Sequence, residues 1–216
     1  TRNLILTEGK LEYEWHAEHS KEKLQFYLEQ QITTQNPDEL ENLKMWIGYY
    51  QGLAEAMPSL EVKVPAITFD DHLEIHGEKQ TARLIEFIGG HTGSDTVLYL
   101  PQAGIVFMSD LLFVGCHPYL ADGDPKQLLN ILSEIRQLGV SQFIPGHGPV
   151  GTIDDVDLLM DYIQQCFDIS QNLVDSGDVS EETIAAIKIP GAFTHWKLPQ
   201  FFQSNIRFVV KNLSAT

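Results

Sequence analysis

Between Pro65 and Asp110 the chain breaks into short β-rich runs: AITFD, HLEIHG, ARLIEFIGG, TVLYLP and GIVFMSD. Turn residues separate them, among them Gly77, Gly89, Gly90, Gly93 and Gly104. Runs this short, cut by glycine, read as strands of a sheet, because a globular helix needs a longer uninterrupted stretch. After Asp124–Pro125 the period changes. Leu128, Leu129, Ile131, Leu132, Ile135 and Leu138 recur on one helical face, which ends at Gly139. QFIP at 142–145 reads as a short buried strand. Helices follow over Asp154–Asp175, Glu181–Ile187 and Gln200–Asn212. Strands first, then strand–helix alternation, give an α/β class in which helices cover a sheet.

The first 57 residues have a different character. Residues 11–31 are polar with apolar positions at helical spacing (Leu24, Tyr27, Leu28, and Ile32 just beyond), and Thr33–Asn36 breaks the run. Asn36 suits an N-cap, Pro37 the first helical position, and Asp38 and Glu39 the first turn. A second helix therefore runs to about Met57, where Pro58 limits it. This reads as a helical insertion at about 11–57 in a single domain. The opening stretch, TRNLILT, reads as the tail of a helix or a strand.

Composition narrows the function. The 216 residues are 43% hydrophobic, enough for one sizeable core. Thirty acidic residues against 14 basic ones give a formal charge of -16, with Lys and Arg scattered. Such a surface repels nucleic acid and anionic lipid, so neither is an expected partner. No run is long enough to cross a membrane, and no signal peptide is visible. Cys116 and Cys166 lie far apart without CxxC spacing, so nothing demands an oxidising compartment. A cytoplasmic protein acting on a small-molecule substrate is the expectation.

Three loops carry potential chemistry: GGHTGSD (89–95), FMSDLLF (107–113) and IPGHGPVG (144–151). Each follows a β-rich run and offers a ligand at that strand's carboxyl end. His91 and His147 sit beside glycines, which turn tightly and leave room for something close by. Asp110 ends one apolar run and precedes another, so its carboxylate is partly buried and needs a partner or a metal. The three residues stand 19 and 37 positions apart.

Taken together and in this order, the loops resemble the later motifs of the metallo-β-lactamase superfamily. The stretch Gly89–Gly151 is similar to its general metal-dependent hydrolase branch, and the likeness extends weakly through FTHWKLPQFFQSNIRF. The resemblance implies an αββα sandwich, two sheets with helices outside and a metal pair at one edge. By that likeness His91 binds the first metal, Asp110 bridges both and is the catalytic carboxylate, and His147 binds the second. Imidazole and carboxylate suit two divalent ions, zinc first, with iron or manganese as substitutes. Two such ions roughly 3.5–4 Å apart activate a water for attack on an ester, thioester, amide or lactam-like bond.

The chain departs from the family in one respect. The His-x-His-x-Asp-His motif is absent: none of the histidines at 16, 19, 72, 76, 91, 117, 147 and 195 forms it. TRNLILT looks like the helix end that follows that motif, so the expectation is a domain incomplete at its N-terminus, with most of the first sheet missing. An exposed sheet edge then invites a homodimer or strand exchange. A catalytic zinc wants three protein ligands, so this chain alone is expected to bind metal weakly and turn over little.

Other positions read more plainly. His16 with His19, and His72 with His76, read as solvated surface pairs. His117 lies in the loop after Asp110, where it either lines a substrate pocket or is a plain loop histidine. Asp95 either orients the His91 loop from behind or caps its turn. Asp122, Gly123 and Asp124 read as a turn and helix start, and Trp196, Phe201 and Phe202 as core anchors. Two other functions compete with hydrolysis. One is a non-catalytic binding or assembly module that lost the metal site. The other is a mononuclear iron enzyme acting on a sulfur substrate.

Overall fold

The change of period after Pro65 is also a structural boundary, since the chain forms two compact units, Thr1–Thr68 and Phe69–Thr216. The computed structural model describes residues 2–214. Thr1 of the opening stretch and the side chain of Asp38 lie outside the described residues.

The first unit is a helical hairpin. A turn of helix at Arg2–Leu4 and a π-helical turn at Ile5–Gly9 lead into α1 (Lys10–Thr33). After the expected break, α2 (Pro37–Ala56) runs back, and a 3₁₀ turn at Met57–Ser59 ends it at Pro58. From Arg2 on, the opening stretch is thus helical. Aromatic rings hold the two helices together: Tyr27 stacks on Trp46 at 5.9 Å and on Tyr50 at 5.5 Å. His16 corrects its surface reading. Its side chain is only 13% exposed and its ring lies against those of Tyr49 and Tyr50.

The second unit is built on one five-stranded sheet with strand order β1-β2-β3-β4-β5. The strands are β1 (His72–His76), β2 (Thr81–Phe87), β3 (Asp95–Leu100), β4 (Ile105–Phe113) and β5 (Gln142–His147). The first four pair antiparallel, and β5 joins β4 in parallel. A parallel neighbour needs a crossover, supplied here by α3 (Pro125–Ile135). Ala66–Asp70, expected as a strand, is bend and coil. Pro65 precedes it, Asp71 turns the backbone to φ 66°, and Ile67 is exposed, so no neighbouring strand holds it.

Helices cover one face of the sheet. α3 turns Leu128, Ile131, Leu132 and Ile135 inward, and Asp124 caps it by accepting the Lys126 and Gln127 N–H groups. α4 (Ile153–Ser176) starts in a capping box between Thr152 and Asp155 and ends at Gly177 in the left-handed conformation. After α5 (Glu181–Ala186), α6 (Gln200–Ser214) closes the layer with Phe202, Ile206 and Val210. Val97, Val106, Met108 and Phe143 meet these helices from the sheet. Trp196 and Phe202 are core residues as expected, while Phe201 is half-buried.

Side chains alternate across a strand, so the other face carries a second set. The register aligns Leu73, Leu84, Leu98, Phe107 and Ile144 in one row, one apolar residue on every strand. Phe107 is 40% exposed there. The fold is α/β, as expected. Of the four layers of an αββα sandwich, the described residues of this unit hold two: one sheet and one helical layer.

Candidate metal centre

Strand direction places the three chemical residues. β2, β4 and β5 run the same way, so their carboxyl ends lie on one edge of the sheet. The loop leaving β2 carries His91, β4 carries Asp110, and His147 is the last residue of β5. His91 Nε2 lies 3.9 Å from Asp110 Oδ2, and His147 Nε2 lies 3.5 Å from Asp110 Oδ1. Both rings pack on Phe113, which stacks on His147 at 4.8 Å and lies 5.6 Å from His91.

Asp110 does not end its strand, which runs on to Phe113. It sits at an irregularity in the β4–β5 ladder, and Ser109 just before it has φ 50°. A non-glycine residue held there costs on the order of 1 kcal/mol or more. The bulge bends the strand and re-aims the following side chain. The carboxylate is half-buried, with its side chain 42% exposed.

The glycines around His147 are there for close approach. A Cβ on Gly146 would lie 2.0 Å from Asp110 Oδ1, so only glycine lets β5 come this near the carboxylate. Gly148 takes φ 103°, and a Cβ there would meet Val114 O at 2.0 Å. The Val114 N–H donates to His147 O at 2.9 Å and ties the end of β5 to β4.

Asp95 opens β3 and is buried. It accepts the backbone N–H groups of His91 (2.9 Å) and Thr92 (3.1 Å) and the Thr92 hydroxyl (2.8 Å). It therefore both caps the turn and holds the His91 backbone, and the imidazole Nδ1 makes no hydrogen bond to it.

His117 is corrected from a pocket-lining position, because it is fully buried. Its Nδ1 lies 3.0 Å from Tyr162 Oη, and Tyr162 Oη accepts from Asn205 Nδ2 at 3.1 Å. Asn205 also holds the Pro118 carbonyl and the Leu120 N–H. The group pins the loop after β4 to α4 and α6. Burial pushes the His117 pKa down to about 4, against a weaker pull upward from the Phe193 carbonyl. That carbonyl misses hydrogen-bond geometry, since Nε2 has no such partner. His72 and His76 stay on the surface, as read.

The donor types fit divalent metals, and both Nε2 atoms face the carboxylate. As a complete centre the set falls short. Three donors would be too few for two ions, since a zinc site uses three or four protein ligands. No group of three or more His, Cys, Asp or Glu side chains among the described residues is disposed to hold an ion. His91 Nδ1 is buried without a partner, where a ligating histidine normally donates to a carboxylate or carbonyl. The residues fit part of a metal centre and not a whole one.

A family model of the metallo-beta-lactamase superfamily matches residues 8–147. The chain belongs to that superfamily. Among curated proteins it is similar to a hydroxyacylglutathione hydrolase of Synechococcus sp. (strain JA-3-3Ab), 40% identical over 52 residues, which is 24% of this chain and 21% of that protein. A second hydroxyacylglutathione hydrolase, of Erythrobacter litoralis (strain HTCC2594), is 41% identical over 59 residues, 27% of this chain and 23% of its own length. The matches thus span under a quarter of these relatives. Among solved structures, the stereoselective inverting sec-alkylsulfatase Pisa1 from Pseudomonas sp. superposes with a TM-score of 0.53 at 16% identity. It covers 70% of this chain and 27% of that one and shows shared fold. No helix among the described residues is long and apolar enough to cross a membrane.

Proposed function

We propose that this chain serves a metal-dependent hydrolase acting on an ester- or thioester-like bond, with His91, Asp110 and His147 supplying part of the ligand set. The observation that carries this is the convergence of two imidazole Nε2 atoms on one carboxylate at the shared carboxyl edge of β2, β4 and β5. When bound, zinc or a similar ion would supply Lewis acidity and an acidified water. The chain's own contribution is to hold three donors on a rigid edge, with Phe113 behind both rings. The names of the short curated matches make a hydroxyacylglutathione the first substrate to try. Further donors have to come from beyond these three positions.

The test is zinc and cobalt(II) binding by equilibrium dialysis with elemental analysis, on the chain and on His91→Ala, Asp110→Ala and His147→Ala. Weak binding is expected, and Asp110→Ala should lose most of it. Binding untouched by all three substitutions would remove the metal reading. Full occupancy with robust hydrolysis by the wild-type chain would show that three donors suffice. The partnerless His91 Nδ1 favours a second reading, a binding module without metal. Dialysis that detects no zinc or cobalt on the wild-type chain would select it.

A further inference from the structure

We infer that Asp95 and Gly123 are positioning residues for His91, acting on its backbone from two separate elements of the fold. The inference rests on the reading of His91 as a metal donor, and it concerns how that donor is aimed. His91 sits in the seven-residue loop between β2 and β3, Ile88–Ser94, of which five are Gly, Ser or Thr, a composition of turn formers with little apolar side chain to anchor it. Yet His91 is buried and its Nε2 holds a defined place beside Asp110.

The first hold comes from the sheet. Asp95 is the first residue of β3 and pairs with Phe87 of β2, so its backbone is fixed by the ladder. Its carboxylate receives the His91 N–H, the Thr92 N–H and the Thr92 hydroxyl. A buried carboxylate satisfied by N–H and O–H donors is a strong anchor, since removing it strands those donors away from water.

The second hold comes from α3. The Asp124 side chain caps that helix, while its N–H donates to Gly89 O at 3.0 Å. Just before it, Gly123 lies against the loop. A Cβ there would be 2.1 Å from Gly90 O, 2.6 Å from His91 O and 2.7 Å from His91 C. All three are backbone atoms, so no side-chain rotation relieves the overlap. Alanine would have to drive the His91 carbonyl or the α3 cap apart by roughly 1 Å, given ordinary contact distances of about 3.5 Å. The sequence marks Gly123 only as a turn residue, because its contact is with a loop about 30 positions upstream.

The first experiment needs no metal. Each histidine's reaction rate with diethyl pyrocarbonate is followed by mass spectrometry on the EDTA-treated chain, in wild type, Asp95→Asn and Gly123→Ala. His147 is the exposed internal reference, and fully buried His117 reports global opening. His91 should react about tenfold faster relative to His147 in both variants, with His117 still protected. An unchanged His91 rate in folded variants overturns the inference. If His117 also becomes reactive, the variant has opened, and hydrogen exchange in the wild type decides. His91 and Thr92 amides should then be as protected as β3, and exchange at loop rates overturns the inference. The second experiment is a double-mutant cycle on zinc affinity. Asp95→Asn should weaken binding about tenfold, as outer-shell changes do, and have no further effect in a His91→Ala background. A full additional loss in that background would assign Asp95 a general structural role. If zinc does not bind the wild type at all, the metal reading fails while the carbethoxylation result still judges the clamp.

Discussion

His117→Gln should remove a defined part of the acid sensitivity of the second unit. In the folded protein His117 is fully buried and its pKa is pushed from 6.5 to about 4 by burial. In the unfolded chain it returns to about 6.5. Between these values the unfolded state binds a proton that the folded state refuses. Stability from this residue is therefore complete above about pH 6.5, falls as pH drops, and stops falling below about pH 4. Proton linkage gives a loss of about 2 kcal/mol by pH 5 and about 3 kcal/mol by pH 4. Glutamine has no such titration, while the other acid effects remain and cancel in the comparison. Trp196 lies 5.6 Å from the His117 ring and reports this region. In a background carrying Trp15→Phe and Trp46→Phe it is the only tryptophan. Urea unfolding followed by its fluorescence at pH 7.5 and pH 5 gives both stabilities. The pH-dependent loss should be about 2 kcal/mol smaller in His117→Gln. Equal losses in both proteins would refute the assignment of this acid sensitivity to His117.

Gly146→Ala places a Cβ 2.0 Å from Asp110 Oδ1 and 2.8 Å from Ser109 backbone atoms, so overpacking should destabilise the second unit by about 1–3 kcal/mol. Urea denaturation reads the cost, and any zinc binding should fall with it. Asp124→Ala removes the α3 cap that receives the Lys126 and Gln127 N–H groups, a loss of about 1 kcal/mol in the same assay. Gly52→Ala, inside α2 with nothing within 4 Å of the new Cβ, should stabilise the hairpin by about 0.5–1 kcal/mol. A helix melt followed by circular dichroism that shows no rise would count against an open site at Gly52.

Local chemistry made most elements legible. Asp124–Pro125 and Gly139 bracket α3 with its cap and its left-handed end, and the apolar stripe between them filled the core. The break at Thr33–Asn36 separated α1 from α2 as expected. Failures came where partners distant in sequence decide. AITFD has strand composition and no neighbouring strand. His16 has a surface pattern, yet the aromatic rings of α2 enclose it. His117 follows a loop motif, but Tyr162 and Asn205, 45 and 88 positions away, bury it. Asp95 was readable as either a cap or a support because its contacts are local, whereas the contact of Gly123 with the same loop was not readable.

The same distinction applies to the candidate site. The convergence of His91, Asp110 and His147 was legible because their glycine-rich and strand-end settings are local signals, and strand direction then brings β2, β4 and β5 to one edge. Met108, Leu111 and Leu112 of β4 are fully buried in the core. The opposite face carries the row Leu73, Leu84, Leu98, Phe107 and Ile144, one apolar side chain per strand. Such a face is what a second sheet buries at about 10 Å in a sandwich. Under the proposed reading, donors that complete the centre would have to arrive along that edge or from that apolar side.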